Sequence, residues 1–296
     1  MRVMVLSKAA APALPRLVVR ALGRVPVHVT IAAVCCLWLV PTVALLVSSF
    51  RPPNLVATSG WWTAFRLPLA FTVENYAAVL TTYNMAPSFV NSLLITVPAT
   101  VIPLLIAAYA AYAFAWMSFP GRDWLFLAVV GLLVVPLQTT FIPVLTLFVQ
   151  LGLTGTFLGL WLAHTGYGLP LAIYLLRNFI GSLPRDIFES ALIDGAGHWT
   201  VFFRIVLPTS VAALASLAIF QFLWVWNDLL VALIYLGGQP DVAPVTVTIS
   251  NLVNSLGQGW QLLTAAAFIS MALPLAVFFS LQRYFARGLL AGALKG

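Results

Sequence analysis

Few side chains in this sequence could carry out chemistry, and they form no recognisable catalytic pattern. His28, His164 and His198 lack the spacing of metal ligands. Cys35 and Cys36 are adjacent, and because neighbouring side chains on a helix point in different directions, neither a disulfide framework nor a metal site is expected. The sequence also lacks a Gly-x-x-x-x-Gly-Lys phosphate loop, so the chain is not expected to cradle ATP by itself.

One polar group stands out because it lies inside an apolar stretch. It comprises Gln221, Trp224, Asn227 and Asp228, together with Trp226. A charge within a bilayer costs on the order of 2.5 to 3.5 kcal/mol, so the Asp228 carboxylate should face protein or water. Amide groups and aromatic faces of this kind are used to bind sugars. These residues are candidates for lining a substrate path, and the alternative is that Asn227 and Asp228 only tie helices together.

The composition determines the class of protein that must position these residues. Apolar residues make up 62% of the 296 residues, charged residues make up 7%, and the mean hydropathy is +1.05. A soluble domain carries about 25% charged residues. The chain is therefore expected to be a polytopic, all-α membrane protein. The net charge of +7 is expected to reflect membrane topology, and no nucleic-acid partner is expected.

At about 20 residues per span, the chain has room for six transmembrane helices. We expect a basic arm at 1–26, a six-span domain at 27–286 and a tail at 287–296. The predicted spans are 27–49, 88–117, 124–150, 157–178, 208–236 and 261–285. With this topology, only Arg51 and Arg66 of the 14 basic residues lie outside, so both termini and the loop 181–208 are predicted to be cytoplasmic.

The loop 181–208 is the longest polar interruption in the chain. Pro184 suits a first helical turn, and Gly195 suits a left-handed helix end. Helical spacing places Ile187, Phe188, Ala191 and Leu192 on one face of a first helix, and Trp199, Phe202, Phe203 and Val206 on one stripe of a second. The loop is predicted to be a helix, turn, helix unit at the membrane surface. Its alternative role is an interfacial hairpin that only anchors two spans.

The spacing within this loop resembles the cytoplasmic signature of permease subunits of ATP-binding cassette importers. Glu189, Ala191 and Gly195, then Ile205, Leu207 and Pro208, match the pattern Glu-Ala-Ala, three residues, Gly, nine residues, Ile, one residue, Leu-Pro. Ser190 departs from the usual alanine, and Asp194-Gly195-Ala196 matches the form found in sugar importers. Asn91-Ser92-Leu93, the run 110–115, Trp226-Asn227-Asp228 and the Gly292–Gly296 ending are similar to the carbohydrate-uptake type, which includes the shorter permease of the maltose transporter.

The resemblance implies the importer permease fold and a division of labour. The chain would form half of a sugar path with a second permease, bind no cofactor, and take its power from two cytoplasmic ATPase subunits that hold ATP and Mg. Glu189, Ser190, Ala191, Asp194, Gly195, Ala196, Ile205, Leu207 and Pro208 would form the ATPase-coupling surface. Leu294, Lys295 and Gly296 would contact the ATPase, and Asn251, Asn254, Gln258 and Trp260 would contact an extracytoplasmic solute-binding protein.

The same resemblance places the protein in a bacterial or archaeal cytoplasmic membrane, with an oligosaccharide or α-glucoside such as maltose or trehalose as the expected substrate. A plain connecting loop is the alternative for residues 237–260. A secondary transporter or channel for a small polar solute is the alternative function; it would be indicated by inverted repeats with paired broken helices. An intramembrane enzyme would need a cluster of reactive groups, and most ionisable residues here are predicted to lie in loops.

Overall fold

The computed structural model describes the backbone of residues 16–252 and 259–293, and within these ranges the side chains of 25–191, 193–252 and 259–282. The described residues form helices and connections, with no β-strand. The first seven helices are α1 Arg16–Ser49, α2 Pro53–Thr58, α3 Glu74–Thr81, α4 Met85–Trp116, α5 Arg122–Gly131, α6 Phe141–Gln150 and α7 Phe157–Gly181. The remainder are α8 Arg185–Ile193, α9 His198–Val201, α10 Leu207–Thr209, α11 Val211–Trp226, α12 Leu230–Leu236, α13 Val245–Ser250 and α14 Trp260–Ala293.

Three described helical segments are long and apolar enough to cross a membrane: Val25–Ser49, Met85–Trp116 and Trp260–Gln282. Two bent pairs extend the number to five if each pair forms one span. α7 has 25 residues, which is enough to cross a bilayer, but polar residues such as His164 and Tyr167 lower its hydropathy. The all-α membrane class is confirmed, and the six-span count remains a prediction.

The third and fifth predicted spans are bent or interrupted, contrary to a simple count of straight helices. Arg122–Val134 and Leu137–Gln150 meet at 98°, next to Pro136. Proline at such a point removes a backbone donor and disfavours helix for the residue before it. At the start of the fifth span, His198–Thr209 of the preceding loop meets Val211–Trp226 at 75°, and within the span the helix stops between Trp226 and Leu230.

The centre of the bundle is the pairing of α4 with α7, the most extensive helix contact among the described elements. Small residues make this close approach possible, because Ala99, Ala107, Ala108 and Ala111 on α4 are almost fully buried. Pro98 and Pro103 lie within α4 without interrupting it, as membrane helices tolerate. α11 packs against both α4 and α14, and the large apolar side chains of α1 between Val25 and Leu46 are mostly exposed.

Arg51 organises the segment that follows α1. Its side chain is buried and donates hydrogen bonds to the Leu55 carbonyl (2.9 Å), to the carbonyl and hydroxyl of Ser59 (3.1 and 2.6 Å) and to the Thr63 hydroxyl (3.1 Å). Burial lowers the pKa of the Arg51 guanidinium from its ordinary value, although this group stays protonated in proteins. Arg51 therefore fixes α2 and the 3₁₀ turn Trp61–Phe65 at the end of α1.

Candidate functional site

The loop 181–208 folds as the predicted helix, turn, helix unit. α8 ends in a Schellman turn, in which the Ala196 amide donates to the Ala191 carbonyl (3.0 Å) and Gly195 has φ +79°. A Cβ at Gly195 would meet no atom within 4 Å, so the backbone conformation and not the space within this chain requires glycine. The Ser190 hydroxyl donates to the Asp186 carbonyl (2.8 Å), so the serine that departs from the family pattern is satisfied within α8.

An aromatic contact attaches α8 to the transmembrane helices. Phe188 is 2% exposed, and its ring stacks on Trp116 with centroids 4.0 Å apart and planes 18° apart. Trp116 in turn donates from Nε1 to the Ile180 carbonyl near the end of α7 (3.0 Å). The first half of the unit is therefore seated on the C-terminal ends of both central helices, α4 and α7.

The second half of the unit has two apolar rows, one buried and one exposed, where the sequence predicted one stripe. Phe202 and Val206 are buried, whereas Trp199 and Phe203 are exposed and stack on each other. Helix spacing of four residues separates both pairs, and a π-helical turn covers Phe202–Val206. Tyr109 on α4 stacks on Trp199 at 4.6 Å.

The predicted coupling residues divide between a packed side and an exposed side. Ala191, Ala196, Ile205 and Leu207 pack against the buried cluster that contains Phe188, Phe202 and Tyr112. The exposed members are Glu189, Ser190, Asp194, Gly195 and Pro208. Within the described part of the chain, Glu189 forms no ion pair, and the nearby Ile193 is 85% exposed. The unit thus presents an acidic and apolar surface that none of the described residues covers. Leu294, Lys295 and Gly296 lie outside the described residues.

A second feature is a cavity of about 570 Å³ between the bend of the third span, α7 and α11. Its lining is mainly apolar and includes Leu132, Leu133, Val135, Leu137, Thr140, Gly166, Tyr167, Gly168, Pro170, Leu171, Ala172, Leu175, Leu217, Phe220, Gln221 and Trp224. Two of the four predicted path residues, Gln221 and Trp224, therefore line one cavity. Asn227 and Asp228 are not part of its lining.

Gln221 is held in place by α4 and α7. Its Nε2 donates to the Ala99 carbonyl (3.1 Å), and its amide lies against Gly168, where a Cβ would come within 2.7 Å of Oε1. Tyr167, which was not among the predicted residues, also lines the cavity and hydrogen bonds through its hydroxyl to Tyr235 (2.6 Å). Its signal in the sequence is a tyrosine between two glycines, Gly166 and Gly168, within a predicted span.

Asp228 lies at the interruption between α11 and α12, and its carboxylate caps α12. The oxygens accept hydrogen bonds from the Val231 amide (3.3 Å) and the Ala232 amide (2.9 Å). The His164 Nε2 atom is 3.7 Å from the same carboxylate. Asn227 is exposed and donates to the Leu223 carbonyl of its own helix (2.7 Å). Asp228 therefore caps α12 directly after the end of α11, with His164 of α7 beside it.

The predicted surface for a binding protein is only partly within the described residues. Asn251 is exposed at the end of α13, and Trp260 is 50% exposed at the start of α14. Asn254 and Gln258 lie outside the described residues. In the part of the chain that the structure describes, no group of three or more histidine, cysteine, aspartate or glutamate side chains could hold a metal ion.

Comparison with known proteins decides the family to which this fold and this helix, turn, helix unit belong. Residues 60–290 match the family model described as binding-protein-dependent transport system inner membrane component. The chain belongs to this family. It is a permease subunit of the sugar importers driven by ATP-binding cassette subunits, it has no ATPase site of its own, and it lies in the cytoplasmic membrane.

Two relatives from this permease family are particularly similar. One is the osmoprotective compounds uptake permease protein GgtD of Synechocystis sp., 60% identical over 92% of this chain and 92% of the relative. The other is the alpha-glucoside transport system permease protein AglG of Rhizobium meliloti, 57% identical over 77% of this chain and 62% of the relative.

The permease fold is also seen among solved structures. A bacterial importer of the acidic polysaccharide alginate aligns with a TM-score of 0.64 and 16% identity, over 92% of this chain and 99% of that one. The same kind of transporter in complex with an alginate-bound periplasmic protein aligns with a TM-score of 0.57. Membership of this family sets aside the secondary transporter, the channel and the intramembrane enzyme.

Proposed function

We propose that this permease imports α-glucosides, as one of two permease subunits that together enclose the path. The observation that carries the substrate class is the 57% identity with a permease of an α-glucoside system. The cavity beside Gln221 and Trp224 is compatible with such a substrate, because it offers an indole and an amide within a mainly apolar wall. The second permease would complete this wall from the open side.

Osmoprotective compounds are the second candidate class, because the relative at 60% identity is a permease for their uptake. The two classes overlap if an osmoprotectant carries a glucosyl group. They differ for an osmoprotectant without a sugar, such as glycine betaine.

The chain would receive force through the exposed side of α8. Glu189 would meet a basic surface of a cytoplasmic ATPase subunit, and ATP-driven closure of two such subunits, which would hold ATP and Mg, would move α8. The stack of Phe188 on Trp116 would pass this movement to α4, and the bond from Trp116 to the Ile180 carbonyl would pass it to α7. On the opposite side, Asn251 and Trp260 would contact the solute-binding protein.

Uptake into proteoliposomes that contain the complete transporter tests the substrate class. The two permeases, the ATPase subunits and the binding protein are supplied together, with radiolabelled maltose, trehalose or glycine betaine. Uptake of a glucoside that requires ATP and binding protein is expected. Uptake of glycine betaine without either sugar would favour the osmoprotectant class, and uptake by this chain alone would contradict the division of labour.

A further inference from the structure

A row of polar side chains on α4 holds the segment 241–248, which lies outside the cell in the predicted topology. Asn91 donates from Nδ2 to the carbonyls of Asp241 (2.9 Å) and Ala243 (3.2 Å). Ser92 accepts from the Val245 amide (2.8 Å). Ser88, one turn earlier, hydrogen bonds through its hydroxyl to Thr248 (2.6 Å). Positions 88, 91 and 92 share one helix face, so the row runs along the segment.

The segment is wedged into the bundle and does not lie on its surface. Val245 is fully buried against Val79, Met85 and Ala265. Ala243 and Val247 are also buried, and they belong to a different cluster that includes Ile95 and Phe141. A backbone buried in this way requires a partner for each polar group, and the α4 row supplies three of them.

This segment connects the junction near the cavity with the outer surface. The Thr246 hydroxyl donates to the Asp228 carbonyl, where α11 gives way to α12. At its other end, α13 leads directly to the exposed Asn251. A shift of residues 241–248 would therefore move both the Asp228 junction and the outer surface at Asn251.

We propose that Asn91 and Ser92 are positioning residues for import, because they hold residues 241–248 in the place that sets both the α11–α12 junction and the outer docking surface. This role rests on the proposed function of the chain as the receiver of a loaded binding protein. Asn91 and Ser92 belong neither to the helix, turn, helix unit nor to the cavity lining, and positioning residues 241–248 is a role that both of them can fill.

The first test measures whether the segment stays packed. Ala243→Cys is introduced into a chain with Cys35→Ala and Cys36→Ala, the complete transporter is assembled, and labelling by a membrane-impermeant maleimide is timed without any sugar. Asn91→Asp keeps the side-chain shape but removes both donors, and Ser92→Ala removes the acceptor. Ser92→Ala is expected to raise the labelling rate about tenfold, as expected for loss of one buried hydrogen bond, and Asn91→Asp, which loses two, is expected to raise it at least as much. Asn54→Asp, an exposed site on α2, is the matched control and should leave the rate unchanged.

The second test separates positioning from a general loss of structure. ATPase activity of the same complexes is titrated with binding protein saturated with maltose or trehalose. The concentration for half-maximal stimulation is expected to rise about tenfold in the Ser92→Ala complex, with the maximal rate within about twofold of the parent. If the transporter with Asn91→Asp does not assemble, the result for the Ser92→Ala complex alone decides whether the proposal holds.

Unchanged labelling of the cysteine introduced at position 243 in the assembled variants would overturn the proposal, and so would a fall in the maximal rate with no change in the half-maximal concentration. Failure of the proposed function has a different signature, because the parent complex would then import neither glucoside while the labelling result would still stand.

Discussion

Phe188 stacks on Trp116 with ring centroids 4.0 Å apart, and this contact joins helix α8 to the membrane helix α4. Trp116 of α4 also donates to the carbonyl of Ile180 on α7, so its indole contacts both α8 and α7. The exposed side of α8 carries Glu189 and Asp194 follows its end, while the opposite side carries the stacked phenylalanine. In the proposed function, a partner bound to α8 would through these contacts move both central helices.

Phe188→Ala should loosen α8 without removing its exposed surface. Truncation of a buried phenylalanine destabilises a protein by about 3 to 5 kcal/mol. We expect a lower thermal unfolding midpoint for the purified transporter and a loss of uptake at temperatures where the complex is still assembled. Arg185→Ala on the same helix is the control, because Arg185 is exposed and is not one of the predicted coupling residues, so its truncation should leave the midpoint nearly unchanged. Equal midpoints for the two variants would show that the stack does not seat α8.

Gly195→Ala should strain the turn between α8 and α9. An alanine at φ +79° costs roughly 1 to 2 kcal/mol in the left-handed region. Gly197→Ala is the matched control, because Gly197 has φ −70° and likewise has open space around a Cβ. Thermal unfolding and uptake are measured for both, together with Gly195→Asn, which tolerates this region better than alanine. An equal loss of stability and uptake in the Gly197→Ala variant would show that a contact with a partner, and not backbone strain at position 195, causes the effect.

Gly168→Ala should change the cavity while leaving the fold intact. The new methyl group would come within 2.7 Å of the Gln221 amide, which sits at the end of a flexible side chain and can move. Loss of the hydrogen bond to the Ala99 carbonyl and a displaced amide should alter the concentration dependence of uptake. Gly166 lines the same cavity, and a Cβ added there would have no atom within 4 Å. The Gly166→Ala transporter should therefore show the wild-type concentration dependence of uptake. Indistinguishable uptake by the two variants would remove Gln221 from the path.

Asp228→Asn should be tolerated better than Asp228→Ala. Both aspartate and asparagine can cap a helix, whereas loss of a cap costs about 0.5 to 2 kcal/mol. The amide oxygen of asparagine can still accept from the amides of Val231 or Ala232, and the substitution removes the charge of a half-buried carboxylate. Thermal unfolding of the assembled transporter should therefore rank wild type and Asp228→Asn close together, with Asp228→Ala below them. Equal destabilisation by both changes would assign the carboxylate charge a role beyond capping, with His164 as its nearest partner.

The sequence was sufficient to predict the class of protein and the shape of the coupling unit, because both depend on local rules. Apolar composition specifies a membrane protein, and Gly195 marks the turn since few other residues adopt its backbone conformation. The spaced motif from Glu189 to Pro208 then identified the family.

The cavity and the interruption at Asp228 were harder to foresee, because they depend on how distant helices meet. Gln221 and Trp224, two of the predicted path residues, line the cavity together, and Tyr167 joins them only through the packing of α7 against the bent third span. Asp228 lies three residues before Val231, a spacing typical of a helix cap, but its polarity within an apolar stretch also fits a substrate path or a contact between helices. Hydropathy alone treats residues 208–236 as one span, although the helix stops within them.

The central claim is that the exposed side of α8, with Glu189 at its centre, receives force from the ATPase subunits. The direct measurement is the amount of glucoside imported per ATP hydrolysed by proteoliposomes that contain the complete transporter with Glu189→Ala. The account predicts an assembled complex in which ATP hydrolysis no longer drives uptake, while Asn54→Asp, on the opposite side of the membrane in the predicted topology, keeps the wild-type ratio. An unchanged ratio in the Glu189→Ala transporter would contradict the account.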